Sequence, residues 1–281
     1  MNTDQWQEEF FHTGFLVLRH CIPPELVQEA QLIMTSALCR LLNKNVRVDE
    51  GIIEACEIHN QADVQYYLHQ EIQGKRLKRK ILLLEPVLDI AVQCLGPDLA
   101  YNRDGAVAIN IKPTSDNLFM KAMHQEIWSG AGVMELRLWA PLSMRDSAGG
   151  MSFIPGSHRW GLIPNRERMP FDVPAEADMT AVVPEVREGD VVFFHSMTLH
   201  ATEPLTDKPP RVAITTGIRS VYHKHSGHEH LQSWQPYHFS PMGRIQKALG
   251  NPWLSSYRTL GSPLSHRTKG DEKKDILDIG E

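Results

Sequence analysis

Residues 187–221 read REGDVVFFHSMTLHATEPLTDKPPRVAITTGIRSV. A Gly189-Asp190 turn leads into an apolar run ending at Phe194, too short for a helix and rich in β-branched and aromatic side chains, which is the composition of a buried strand. Pro204 and the Pro209-Pro210 pair interrupt the chain, and Arg211 then opens a second β-rich run, Val212–Val221. Working upstream to Gly96, the same alternation of short apolar runs with Gly, Pro, Asp and Ser predicts strands at Ala106–Lys112, Phe119–Glu126, Val133–Leu142, Ser152–Ile154, Thr180–Val183 and Asp190–Phe194.

Before Gly96 the periodicity changes. From Glu25 through Leu42 the apolar residues recur at three- and four-residue steps, and Pro24 suits a first helical turn, so this segment is predicted to be a helix. Further helices are expected at Trp6–Phe11, Val64–Ile72, Lys78–Cys94 and Pro241–Leu249, with a short strand at Phe15–Leu18 after the break at Gly14. The fold class is therefore mainly β with flanking α-helices: a double-stranded β-helix, or jelly roll, of the cupin-like kind. No internal repeat is visible. One domain over 1–281 is expected, with a mainly helical part at 1–97, a jelly-roll core at 98–222 and an extension at 223–281. The mixed-charge tail Arg267–Asp275 is expected to be mobile.

A net charge of −5, with no long block of either sign, gives no footprint for a nucleic-acid backbone and points to a small-molecule partner. No apolar stretch approaches the ~20 residues that span a bilayer. The N-terminus has Asp4, Glu8 and Glu9 where a signal peptide would be basic and then apolar. Cys21, Cys39, Cys56 and Cys94 form no C-x-x-C pair and read as reduced core thiols. Together these features predict a cytoplasmic protein with no membrane partner.

Chemistry enters at His124-Gln125-Glu126. On a strand, alternate residues share a face, so an imidazole and a carboxylate would project together. One more ligand completes the two-histidine, one-carboxylate face that holds non-haem Fe(II) with positions left open. Both His195 and His200 follow an apolar strand and precede Arg211, so either could supply it. An arginine held beside such a centre suits a carboxylate, because its planar fork donates two parallel hydrogen bonds.

The chain resembles the phytanoyl-CoA dioxygenase family of iron- and 2-oxoglutarate-dependent enzymes. The likeness runs from Trp6 to Tyr222. It is carried by the Glu9–Arg19 opening followed by Pro-Pro-Glu-Leu, by Lys112-Pro113, His124–Glu126, Leu138–Leu142, Gly150–Arg159, Gly189-Asp190, and His200 through Arg211, in the family's order. The resemblance implies that His124, Glu126 and His200 ligate Fe(II) and that Arg211 binds the far carboxylate of 2-oxoglutarate, with O2 as the second cosubstrate. It further implies that Thr202 assists at that carboxylate, that Asn110 and Trp139 line the cosubstrate pocket, and that Trp128 contacts substrate. One departure stands out: the family's usual carboxylate ligand is Asp, and Glu126 is a methylene longer. A carboxylate here argues against halogenating relatives, which place a small residue at this position.

The expected activity is hydroxylation, or a related C–H oxidation, with release of succinate and CO2. The competing reading is a non-catalytic cupin-like protein that binds a metal or small molecule. His195 is expected to be a pocket or core residue, and His158 to make a structural loop hydrogen bond. His223, His225, His228 and His230 read as a polar loop, and Arg137, Arg145 and Arg159 as solvated charges. The segments 52–73, 166–178 and 223–238 would form the lid, and their polar composition favours a polar metabolite or natural-product intermediate.

Overall fold

The computed structural model describes residues 3–103, 107–111, 121–144, 150–167, 169–205, 209–223 and 234–250. Lys112-Pro113, Phe119, Arg145, the histidines at 225, 228 and 230, and the 267–275 tail lie outside the described residues.

The chain opens with α1 (Thr3–Thr13), β1 (Phe15–Leu18) and α2 (Pro24–Leu42). In α2 the three- and four-residue spacing puts Val27, Ala30, Met34, Ala37 and Leu38 on one buried face. Asn43 ends the helix in the left-handed region at φ 52°, and its N–H donates to the Cys39 carbonyl. Next come α3 (Val48–Ile58) and α4 (Gln61–Gly74), which bury Ile52, Ala55, Val64, Leu68 and Ile72. The stretch 52–73 is thus no lid: it belongs to a pair of amphipathic helices, one face of which packs into the main core. The helix expected at 78–94 is two, α5 (Leu77–Leu82) and α6 (Glu85–Leu95). Pro86 requires the break, since it lacks an N–H and its ring would meet the carbonyl one turn earlier.

The strands that follow are β2 (Leu99–Asn102), β3 (Val107–Asn110), β4 (Glu135–Ser143), β5 (Met151–Phe153), β6 (Asn165–Arg166), β7 (Met169–Pro170), β8 (Val191–His195), β9 (His200–Thr202), β10 (Arg211–Ser220) and β11 (Trp234–His238), before the last described helix, α7 (Pro241–Ala248). The main sheet runs β1-β8-β4-β10-β2-β11, with β3 also paired to β10. Every pairing in it is antiparallel. A second, thin layer pairs β5 with β9 and is widened on either side by single bridges, Phe153 to Val182 and His124 to His200. This is the predicted jelly-roll architecture. The expected strand at 180–183 contributes only the Val182 bridge.

The two faces of the main sheet are distinct. Leu16, Leu99, Val107, Leu136, Leu138, Phe193, Val212 and Ile214 pack with α2, α4 and α6 in the larger core. Phe15, Trp139, Val192, Phe194 and Ala213 turn the other way, onto Phe153 and Met151 of the thin layer. The inner faces of two layers therefore enclose the space into which β4, β9 and β10 project. No helix among the described residues is long and apolar enough to cross a membrane. All four cysteines are free and half-buried.

Candidate metal centre

His200 is the first residue of β9, and its backbone exchanges two hydrogen bonds with His124, at 2.9 and 3.0 Å. This bridge sets the imidazoles side by side with ring centroids 4.1 Å apart. Each ring is oriented from behind: Nδ1 of His124 lies 2.7 Å from the Ala122 carbonyl, and Nδ1 of His200 lies 2.8 Å from the Thr198 carbonyl. A carbonyl only accepts, so both Nδ1 atoms carry the proton and both Nε2 atoms present lone pairs. Glu126 Oε1 stands 3.6 Å from His124 Nε2 and 3.4 Å from His200 Nε2. The three ligand atoms fall within 4.8 Å of one another, and all three residues are buried.

Among the described residues, His124 Nε2 has no hydrogen-bond partner. A buried lone pair without a donor is costly, and here it faces a second imidazole nitrogen and a carboxylate oxygen. Such a convergence of acceptors fits a divalent cation, and two imidazoles with one carboxylate suit Fe(II). The carbonyl behind each ring is the outer support that such ligands require. Burial, then the neighbouring His124, holds the His200 imidazole down at about 4, so it is neutral at physiological pH.

The carboxylate does not arrive by strand alternation. Gln125 is extended, and Glu126 begins a 3-10 turn, Glu126–Ser129, closed by Gly130 at φ 91°. Pairing on this segment stops at the single His124 bridge because the buried Gln125 is tied elsewhere. Its amide donates to the Gly161 and Met197 carbonyls at 2.9 and 2.7 Å and accepts from Ile163 N at 3.0 Å. Sequence reasoning passed over Gln125; its one signal was a polar residue between two candidate ligands.

Arg137 is not a solvated charge. It projects from β4 into the interlayer space, 9% exposed. Its Nη1 lies 2.7 Å from Glu135 Oε1, and its Nη2 lies 3.4 Å from Glu126 Oε2. Glu135 Oε2 in turn accepts from Gly132 N at 3.0 Å. Burial alone would raise the Glu126 carboxyl, but Arg137, then Lys121, outweigh it, and the group sits well below the usual carboxylate range.

The other predicted residues lie on both layers. Arg211 opens β10 opposite Asn110 of β3, whose amide donates to the Glu203 carbonyl at 2.9 Å. The Arg211 guanidinium is buried over the Trp139 ring at 5.1 Å, and its Nε has no hydrogen-bond partner among the described residues. Burial draws it down to about 9. Thr202 is half-buried on β9, two residues beyond His200. Trp128 sits on the 3-10 turn with its indole N–H donated to the Ile163 carbonyl at 2.8 Å, packed against Ile154, Ile163 and Leu199.

His195 stands apart from the three donors. Its Nδ1 accepts from Met197 N at 3.1 Å, and its ring lies 5.6 Å from that of His158. His158 holds the Phe11 carbonyl at 3.1 Å through Nε2, a structural loop contact. Gly14 belongs to the same corner: at φ 81°, an added Cβ would lie 2.4 Å from His158 Nδ1 and 2.6 Å from Thr198 Oγ1. Only glycine fits there.

A family model described as phytanoyl-CoA dioxygenase (PhyH) matches residues 10–213. No curated protein matches the sequence. Among solved structures, the non-heme monooxygenase ThoJ in its apo form superposes with a TM-score of 0.55 at 18% identity, covering 84% of each chain. EctD from S. alaskensis, solved with 2-oxoglutarate and 5-hydroxyectoine, gives 0.55 at 17% identity over 86% of this chain and 83% of that one. The epimerase SnoN, in complex with Fe3+, alpha ketoglutarate and nogalamycin RO, gives 0.54 at 18% identity over 78% and 83%.

Proposed function

The chain belongs to the phytanoyl-CoA dioxygenase family, and from that premise we propose that it is an Fe(II)- and 2-oxoglutarate-dependent dioxygenase. It oxidises a C–H bond of a small polar metabolite or natural-product intermediate, and succinate and CO2 leave. The observation that carries this reading is the convergence of His124 Nε2, His200 Nε2 and Glu126 Oε1 in a buried space where the His124 lone pair has no donor among the described residues.

His124, Glu126 and His200 would hold the iron, which when bound supplies the one-electron and O2 chemistry that side chains cannot. The protein's part is positioning. Arg211, without an acidic partner among the described residues, offers its fork to the far carboxylate of 2-oxoglutarate, with its Cζ over the Trp139 ring. Burial of that guanidinium strengthens the pairing, since little water competes. Asn110 faces Arg211 across the sheet, and Thr202 lies on the neighbouring layer, so both serve the cosubstrate. Trp128 keeps only its ring for substrate, because its N–H is already donated. Residues 234–238, expected in a lid, are instead strand β11 of the main sheet, and it is the polar composition of 166–178 that supports a polar substrate. A cupin-like binding scaffold would have no use for a buried arginine without an acidic partner among the described residues.

The test is an anaerobic titration with Fe(II) and 2-oxoglutarate, followed by the weak visible charge-transfer band of the chelate. A band in the wild type that disappears in His200→Ala, together with succinate release on admitting O2, is the expected result. A folded wild-type protein that gives no band refutes the proposal.

A further inference from the structure

Glu126 poses a problem of reach and of freedom. A glutamate has one more rotatable bond than the family's aspartate, so an unrestrained side chain would present either oxygen, or both, to the imidazoles. In the structure the two oxygens have separate partners. Oε1 faces the two Nε2 atoms, while Oε2 is drawn the opposite way to Arg137 Nη2 at 3.4 Å. Arg137 belongs to the main sheet and the imidazoles to the thin layer, so the side chain bridges the gap between layers. Lys121 also approaches Oε1, at 3.7 Å, but its side chain is 58% exposed and can swing into water.

The guanidinium is itself held. Glu135, two residues earlier on the same face of β4, pairs with Nη1 at 2.7 Å and is anchored by Gly132 N. Room for the pair comes from Gly217, which lies opposite Arg137 in the β4–β10 register. A Cβ at that position would stand 2.1 Å from Glu135 Oε1 and 2.8 Å from Arg137 Nη1.

We infer that Arg137 is a positioning residue for Glu126: braced by Glu135 in the space left by Gly217, it holds Oε2 and leaves Oε1 alone for the metal, and the extra methylene of glutamate spans the distance from that anchor to the imidazoles. This rests on the reading of the three donors as a metal centre. Aspartate would have to give up one end of the span.

The test is Co(II) affinity and the intensity of the visible Co(II) band, measured on the full-length protein without cosubstrate, in a double-mutant cycle. One arm changes Glu135→Gln with Arg137→Met, so that Glu135 is not left as a buried carboxylate without its cation and the ionic partner lost is that of Glu126. The other arm is Glu126→Ala, which keeps both imidazoles. In the presence of Glu126 the paired substitution is expected to weaken Co(II) about 10–100-fold and to alter the band, the usual effect of losing an outer support. In the Glu126→Ala background it should change affinity less than about 3-fold, because the group through which Arg137 acts is gone. Equal weakening in both backgrounds would assign Arg137 to the fold alone and overturn the inference, as would no weakening in either. Wild-type protein that binds no Co(II) would overturn the metal reading along with it. Should the paired variant not fold, Arg137→Lys takes its place: it keeps the charge without the fork, and the same contrast between backgrounds decides.

Discussion

Replacing Gly217 by alanine adds one methyl group to the inner face of β10, and the structure says where it goes. The new Cβ would lie 2.1 Å from Glu135 Oε1 and 2.8 Å from Arg137 Nη1, well inside ordinary contact distance, so the carboxylate must retreat by about 1 Å in an interior packed to crystal-like density. Glu135 is 2% exposed and is held by Arg137 Nη1 at 2.7 Å and by Gly132 N at 3.0 Å, so retreat disturbs both bonds. Overpacking of this kind costs about 1–3 kcal/mol. Partial loss of a charge-assisted hydrogen bond adds about 1.5–3 kcal/mol. A total of roughly 2.5–6 kcal/mol, set against an unfolding entropy of about 2.1 cal/mol/K per residue, lowers the melting temperature by about 4–10 °C. Gly74, in the last turn of α4 with nothing within 4 Å of an added Cβ, is the matched control. Alanine there should stabilise by up to about 1 kcal/mol through its helix preference. Thermal scans followed by circular dichroism measure both. In a Glu135→Ala, Arg137→Ala background the penalty of Gly217→Ala should largely vanish, since the obstructing atoms are gone. A Gly217→Ala melting temperature within 1 °C of wild type would mean that the Glu135–Arg137 pair does not lie across β10, and the account of how Glu126 is held would fall with it.

His200→Ala should abolish tight binding of Fe(II), whereas His195→Ala should retain it, because His195 lies outside the cluster of donors; equal loss in anaerobic metal titrations would refute that assignment. Arg211→Met removes a buried cation that has no acidic partner among the described residues, so the fold should persist while 2-oxoglutarate affinity drops by about 2–5 kcal/mol, read by anaerobic calorimetry. An unchanged affinity would exclude Arg211 as the carboxylate clamp. Burial, then Lys78 and Arg103, presses the His69 imidazole down to about 4 from its ordinary 6.5. The unfolded chain therefore takes up this proton first as pH falls, and the stability due to a neutral His69 is complete above 6.5 and lost progressively toward 4. Melting temperatures from pH 4 to 7.5 should show a shallower acid slope in His69→Leu than in wild type, and identical slopes would contradict this.

The parts of the fold legible in the sequence were those whose local pattern and tertiary role agree. The apolar spacing of α2 and the runs at 191–194 and 212–221 declare their elements. By contrast, β2 and β11 are strands because of what they pair with. β11 contains Pro236, which argues against a strand in isolation and is tolerated on an edge with a bulge after it. The donors His124, Glu126 and His200, and Arg211, could be proposed from spacing and family resemblance, yet the sequence placed Glu126 on a strand and Arg137 in water. The first follows from Gln125, whose side-chain hydrogen bonds to the Gly161, Ile163 and Met197 backbone accompany the 3-10 turn at Glu126, and the second from the layering. In a two-layered core, β4 is covered on both faces, eight of its nine residues being buried, so an alternating charge pattern no longer separates interior from solvent. Only the second layer, formed by residues far away in the chain, gives Glu135 and Arg137 an inside to occupy.

That arrangement also explains why the centre can be rigid although one of its layers is so slight. β9 is three residues long, and His124 joins it by a single bridge, too little pairing to fix two imidazoles by itself. The missing rigidity comes from aromatic packing between the layers. Phe153, fully buried on β5 beside His200, stacks on Phe15 of the main sheet at 4.5 Å, while Phe194 of β8 meets the His200 ring at 4.6 Å. These rings set the spacing on one side of His200, and the Glu126–Arg137 bridge sets it on the other. The separation of the layers, and with it the distance from His200 to Glu126, is thus fixed by apolar packing at one edge and by charge at the other. Shortening either spacer should tilt the thin layer toward the main sheet, and the imidazole pair would move as a unit because the two residues are joined by their paired backbone hydrogen bonds and each ring is held by a carbonyl two residues earlier in the chain.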